Sequence, residues 1–295
     1  MTEIRLVVSR HSAFYSPLIS TIAGGFLEKE GLTGAYAVTP QGSTSPAEVA
    51  AGRAVVGQAA VSASWAPLDR GATPPVTHFA QINRYDGFLI AARKPDPDFT
   101  WGKLLTGRVT YVHGAQPEAM LRYGLHRMGV DLAAVDGIDK PTTPEMMDSF
   151  RSGEGDYFHE QGAYPHQLQH EGVASIVASV GEAVGPVAFS SLIARREWLD
   201  TDAARRFTAA YRASREWVNT ADPHEVALAE ASFFPDMATE AVAEAIKYYQ
   251  DLGAWTGDIA VEPELYEAAL DVYEHSGLVG ARHPYDKVVV PPPAA

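Results

Sequence analysis

Five short stretches of this chain collect side chains of the kind that hold a small molecule. Arg10-His-Ser-Ala-Phe-Tyr15 offers polar contacts from His11 and Ser12 and a stacking face from Tyr15. Gln41-Gly-Ser-Thr-Ser-Pro46 sets the hydroxyls of Ser43, Thr44 and Ser45 just before a proline suited to a first helical turn. Hydroxyls and free N–H groups at a helix start favour a carboxylate, sulfonate or phosphate oxygen, and Thr44 or Ser45 would equally serve as plain N-caps. No Gly-Lys-Ser/Thr follows, so this is not a Walker loop. In Ser62-Ala-Ser-Trp65, Ser64 and Trp65 could contact ligand, Trp65 as an aromatic wall, or Trp65 could pack on Pro67 at a rim. In Val112-His-Gly-Ala-Gln-Pro117, His113 precedes a glycine, Gly114, that lets backbone approach closely, and Gln116 opens a helix. His159 and Glu160 occupy the fifth stretch. Glu160 could accept a ligand N–H, act as a general base, or form a salt bridge to Arg84. Arg84 and Tyr85 lie in a separate extended run, where Arg84 could clamp an acid.

The run His159-Glu160…His166…His170 has an i, i+4 histidine pair, but the His-Glu-x-x-His order is absent and His170 would lie about one helical turn further from the strand end. No metal is expected. Lys29, Lys94, Lys103, Lys140, Lys247 and Lys287 are the only lysines, and none is placed at a strand end facing the cleft, so a pyridoxal phosphate Schiff base, and any other cofactor, is not expected.

The elements that must position these stretches follow a βα rhythm. Residues 3–9, 34–39 and 54–62 read as strands, with helices over 17–30 and 46–52. Residues 77–93 form one long extended run, suited to leaving one lobe and entering another. A second βα series follows: strands at 108–112, 136–140, 156–160 and 173–180, with helices over 116–128, 143–152 and 165–171. Residues 187–194 return, and helices fill 202–220, 223–231, 238–253 and 262–276. Alternating β and α implies mostly parallel sheets flanked by helices. Lobe one is expected at 1–90 plus 190–295, and lobe two at 91–189. In open α/β sheets ligands bind beyond the carboxyl ends of the strands, and that rule selects the five stretches above. Trp217, Tyr248, Tyr249 and Trp255 read as helix packing in lobe one.

Composition narrows the function. The 295 residues are 46% hydrophobic, enough for a full core. A net charge of −14 argues against a nucleic-acid partner, which needs a basic face. The absence of cysteine removes disulfides, thiolate metal sites and a Cys nucleophile. No run approaches a membrane span, so the protein is not expected to be membrane-embedded, and no signal-peptide pattern precedes residue 3. The expected location is cytoplasmic for the sequence as it stands, or periplasmic if it is a processed form.

The layout and several motifs resemble type II periplasmic binding proteins. Tyr15-Ser-Pro-Leu-Ile-Ser-Thr-Ile-Ala-Gly-Gly-Phe-Leu-Glu-Lys-Glu-Gly-Leu32 is similar to that family's opening helix. Pro40-Gln-Gly-Ser-Thr-Ser45 sits where its second loop contacts ligand, and Val56-Gly-Gln-Ala-Ala-Val-Ser-Ala-Ser64 resembles its third strand. The branch is the nitrate/sulfonate/taurine-binding and thiamine-pyrimidine-synthesis-like family. The resemblance implies a two-lobed fold with a two-strand hinge and a ligand in the cleft.

Two readings follow. One is a substrate-binding protein of ABC-transporter type, with a permease partner, holding a small organic ligand that is aromatic, heterocyclic or anionic. The other is a cytoplasmic, cofactor-independent lyase of decarboxylase type, with His113, Glu160 and His11 as acid–base groups and Arg84 as carboxylate clamp. The family's desulfinase needs a Cys nucleophile and its pyrimidine synthase a Cys-rich motif; this chain has neither.

Overall fold

A computed structural model describes residues 1–294. Ten strands form two five-stranded sheets. The first contains β1 (Thr2–Val8), β2 (Leu32–Val38), β3 (Val56–Ala59), β4 (Thr77–Asn83) and β10 (Ser190–Ala194), in the order β2-β1-β3-β10-β4. The second contains β5 (Phe88–Ala92), β6 (Arg108–Thr110), β7 (Asp136–Ile138), β8 (Tyr157–Gln161) and β9 (Ser175–Ser179), in the order β7-β6-β8-β5-β9. The pairings are parallel except for those of one strand in each sheet. β10 runs antiparallel to β3 and β4, and β5 runs antiparallel to β8 and β9. Each antiparallel strand is the one that has just arrived from the other sheet. This exchange makes the two-lobed architecture of the type II periplasmic binding protein fold.

The extended run at 77–93 is two strands, not one. It breaks at Arg84-Tyr85-Asp86-Gly87, where the chain changes sheets. The return passes beside it: Val187 N–H donates to the Arg84 carbonyl at 3.0 Å and Phe189 N–H to the Asn83 carbonyl at 3.3 Å. These paired crossings form the hinge. The Phe14 ring packs on it so closely that a Cβ at Gly87 would lie 2.5 Å from the ring. β5 begins at Phe88, so a boundary at residue 90 would cut through a strand of the second sheet.

The opening helix also differs from expectation. It is Ser16–Ala23 followed by a separate turn, Phe26–Lys29, because Gly25 adopts a left-handed φ of 70° that ends the first segment. The third strand stops at Ala59, and a 3-10 turn, Val61–Ser64, takes over. The C-terminal helices Asp202–Thr220, Pro223–Ala229, Thr239–Leu252 and Pro263–His275 cover the first sheet and reach the seam. Their apolar stripes join one core with Leu18, Phe79, Leu192 and Phe207. Among the described residues, no helix is long and apolar enough to cross a membrane.

Candidate functional site: the cleft between the sheets

A cavity of about 500 Å³ lies where the two sheets face each other. Its walls come from the carboxyl ends of parallel strands and the amino ends of the two antiparallel ones. From the first sheet come Ser9 and Arg10 after β1, Thr39 after β2, Gln58 to Ala60 at the end of β3, and Phe189 before β10. From the second come Val112 to Pro117 after β6, Gln161 ending β8, and Phe88 opening β5. Parallel strands expose their unpaired ends at one edge, and the chain places its polar residues there.

Arg10 is the centre of this arrangement. It follows β1 in the first sheet and reaches across to the second, where Nη1 donates to Thr143 Oγ1 at 2.8 Å and to Glu160 Oε2 at 2.5 Å. Glu160 is fully buried, while a quarter of the Arg10 side chain remains exposed to the cleft. Glu160 also accepts from Thr143 Oγ1 at 2.9 Å and from the Gln161 backbone N–H at 2.8 Å. A buried carboxylate with this many donors is compensated, which is the condition for keeping it in the interior.

Of the residues singled out from sequence, Tyr15, Ser43, Thr44, His113, Gly114 and Gln116 line the cavity. The hydroxyls near Ser43 are partly committed. Ser43 donates to Glu48, Thr44 caps the helix Ser45–Ala50 through the Ala47 N–H, and Ser45 donates to the Val7 carbonyl at 3.3 Å. Gln116 Nε2 donates to the Phe189 carbonyl in the hinge at 2.7 Å. The helix Ala115–Arg127 starts at the cavity; the Gly114 N–H donates to the Glu118 carboxylate at 2.6 Å and Pro117 has none, which leaves the N–H groups of Ala115 and Gln116 without a side-chain cap. His113 lies 3.0 Å from the Tyr111 carbonyl and 3.1 Å from an Asp139 oxygen, both through Nδ1, so Nδ1 is the donor. Burial raises the Tyr15 hydroxyl above its ordinary pKa, opposed by hydrogen bonds from Ser190 and Gln161.

The other predicted residues do not line the cleft, each for a visible reason. Ser12 is buried at the start of the first helical turn, where it caps Phe14 and donates to the Gly162 carbonyl at 2.5 Å. His11 turns to the opposite side. Its Nε2 lies 2.8 Å from the Phe233 carbonyl, so Nε2 carries the proton and Nδ1 accepts from the Tyr36 hydroxyl. Burial lowers its pKa. Ser64 meets His78, and Trp65 is buried with Nε1 donating to the Tyr266 hydroxyl at 2.9 Å. Arg84 pairs with Glu262, not with Glu160, at 2.9 Å on the outside of the hinge. Tyr85, its neighbour, is absent from the cavity wall, and Glu160 lies behind Arg10. The acid–base set His113, Glu160 and His11 is therefore not assembled, and Arg84 is not available to it as a clamp.

Sequence reading passed over Arg10, Gln58, Phe88, Gln161, Phe189 and Tyr273. Arg10 lies within a stretch already flagged and Gln161 adjoins another, and the strand-end rule could have included both. Tyr273 could not be found that way. It comes from the helix Pro263–His275, 211 positions after its partner Ser62, whose hydroxyl donates to it at 2.8 Å. Tyr249 is more than lobe-one packing: its hydroxyl accepts from the Gly162 N–H at 2.7 Å and donates to the Gly87 carbonyl at 2.8 Å, tying the second sheet to the hinge.

Residues 14–226 match the family described as NMT1/THI5 like. The chain belongs to this family. The protein named "Putative binding protein YtlA" from Bacillus subtilis (strain 168) is 25% identical over 296 residues, covering 98% of this chain and 88% of the relative. The alkanesulfonate-binding protein SsuA from Xanthomonas axonopodis pv. citri, bound to MOPS, superposes with a TM-score of 0.74 at 13% identity, covering 99% of both chains. The periplasmic nitrate-binding protein NrtA from Synechocystis PCC 6803 gives a TM-score of 0.71 at 15% identity, covering 98% of this chain and 86% of that one. At these identities the two solved structures show the shared fold.

Proposed function

We propose that this protein is a substrate-binding protein of ABC-transporter type that holds one small organic molecule in the interlobe cleft. The observation that carries the reading is the Arg10–Glu160 pair, which spans the two sheets at the floor of the cavity. A cavity of about 500 Å³ has the size of a small-ligand site. Aromatic walls from Tyr15, Phe88, Phe189 and Tyr273 support an aromatic or heterocyclic ligand, and the uncapped N–H groups of Ala115 and Gln116 support a hydrogen-bond acceptor near the mouth. The sheet memberships support lobes of 1–87 plus 189 onward and of 88–188, closing about the paired crossings. On this reading a permease would receive the ligand from the closed form, and the protein would work outside the cytoplasmic membrane.

Native mass spectrometry of the purified protein tests the reading. A single retained small molecule, recovered chemically unchanged after prolonged incubation, is the expected result. Conversion of that molecule to a product would replace binding with catalysis, and a protein that takes up no small molecule would end the proposal.

A further inference from the structure

One short helix of the second lobe holds the first lobe by its backbone. Tyr164 and Gln167 stand at i and i+3 on the helix Tyr164–His170, hence on one face. The Tyr164 hydroxyl donates to the His11 carbonyl at 3.1 Å, and Gln167 Oε1 accepts from the Ala238 N–H at 2.9 Å. The nitrogen end of the Gln167 amide donates to Glu171 at 2.9 Å, which fixes the oxygen toward Ala238. The two groups gripped belong to one body. His11 lies 2.8 Å from the Phe233 carbonyl and packs on the Phe234 ring, and the chain then reaches Ala238 at the start of the helix Thr239–Leu252. Both gripping side chains line a cavity of about 300 Å³ that His11 and Met237 share. Apolar packing across this part of the seam is therefore incomplete, and the hydrogen bonds span it.

The walls of the cleft are fastened differently. Among the described residues, no hydrogen bond joins the segment 39–46 to the segment 112–117. Ser43 and Ser45 bond within the first lobe, Gly114 bonds to Glu118, and Gln116 turns to the Phe189 carbonyl in the hinge. Neither Tyr164 nor Gln167 lines the cleft. The resting separation of the cleft walls is thus governed by contacts that no molecule in the cleft would touch.

Taking the binding-protein reading as given, we infer that Tyr164 and Gln167 are positioning residues for the cleft, which hold the ligand-free lobes near their closed separation. A chain that rests closed meets its ligand with both walls already opposed. It escapes the loss of affinity that follows when the competent arrangement is sparsely populated.

Pulsed electron-resonance distances between two spin labels test this with no ligand present. The chain has no cysteine, so Gln41→Cys in lobe one and Met128→Cys in lobe two carry the only labels; both positions are exposed and outside the cleft wall. Losing one neutral hydrogen bond moves an equilibrium roughly fivefold. Tyr164→Phe should shift the open-to-closed ratio by about that factor, and Tyr164→Phe with Gln167→Leu by about twentyfold, seen as a growing population at longer distance. Distance distributions that match the parent in both variants would overturn the inference, even where unfolding shows lost stability, because a packing role lowers stability without moving the labels. Tyr164→Phe keeps its ring, so it carries the test alone if the double variant fails to fold. Failure of the binding-protein reading would show instead as no small molecule retained in native mass spectrometry, with the distance shift still present.

Discussion

Two glutamates of this protein are wholly buried, and they are handled in opposite ways. Glu230, at the end of the helix Pro223–Ala229, accepts from the Ser16 and Ser20 hydroxyls at 2.7 and 2.6 Å and has no cation beside it. Burial pushes its carboxyl up to about 8, so at neutral pH it is protonated inside the rigid helical side of lobe one. Glu160, at the seam, is paired with Arg10 from the other sheet. The first solution removes the charge; the second keeps it and makes its compensation depend on the position of the two lobes. Opening the cleft would part Arg10 from Glu160 and let water reach both. A charge pair that bridges the two sheets is sensitive to their separation, whereas a neutral carboxyl among serines within one lobe is not.

The largest test of that contrast is Arg10→Ala. It leaves Glu160 buried without its cation and should cost about 3 kcal/mol in urea unfolding at pH 7, the low end of the buried-pair range because Arg10 is partly exposed. A loss below about 1 kcal/mol would show that the pair is inert. Next is the hinge. A Cβ at Gly181 would sit 2.3 Å from the Asp86 carbonyl oxygen, which is backbone and cannot swing aside. Gly181→Ala should therefore cost about 1–3 kcal/mol and shift the lobe angle, read by unfolding and small-angle scattering. An unchanged scattering profile and unchanged stability would mean that this contact does not hold the crossing.

The pH dependence separates the two glutamates further. Glu230 is protonated in the folded chain up to about pH 8, while in the unfolded chain it ionises near the model value of 4.5. Between those values the unfolded state binds fewer protons, so this group lowers stability as pH rises from about 4.5 to 8. Glu230→Gln removes that slope, and by pH 8 it should be more stable than the parent by about 1–2 kcal/mol, at the cautious end of the linkage. Parallel stability curves for the two proteins would contradict the assignment. The smallest effect is expected at Trp65→Phe, which loses one hydrogen bond to Tyr266, about 1 kcal/mol, and should leave ligand affinity unchanged because Trp65 is outside the cavity.

The backbone plan was readable because its signals are local. Proline at 46 and at 144, capping Thr44 and Thr142, and alternating apolar runs mark helix starts and strands within a few residues. The break inside 77–93 carries a turn signal in Asp86-Gly87, but the signal does not say that the strands on either side belong to different sheets; only their partners reveal the change of lobe. The site was half readable for a related reason. Strand ends are visible in sequence, and they led to Tyr15, Ser43, Thr44, His113, Gly114 and Gln116. Which way a side chain turns after its strand end depends on distant partners. His11 is drawn to Phe233, Ser12 to Gly162 and Trp65 to Tyr266, while Arg10 is drawn into the cleft by Glu160. Those partners lie 150 to 222 positions away, beyond any spacing rule.

A crystal structure of the protein with its retained small molecule tests the central claim most directly. The account predicts density above Arg10 and Gln161, between the 43–45 loop and the helix start at 114–116, with the Arg10–Glu160 pair intact beneath it. Density in the separate cavity lined by His11, Tyr164, Phe234 and Met237, with the cleft above Arg10 unfilled, would contradict it.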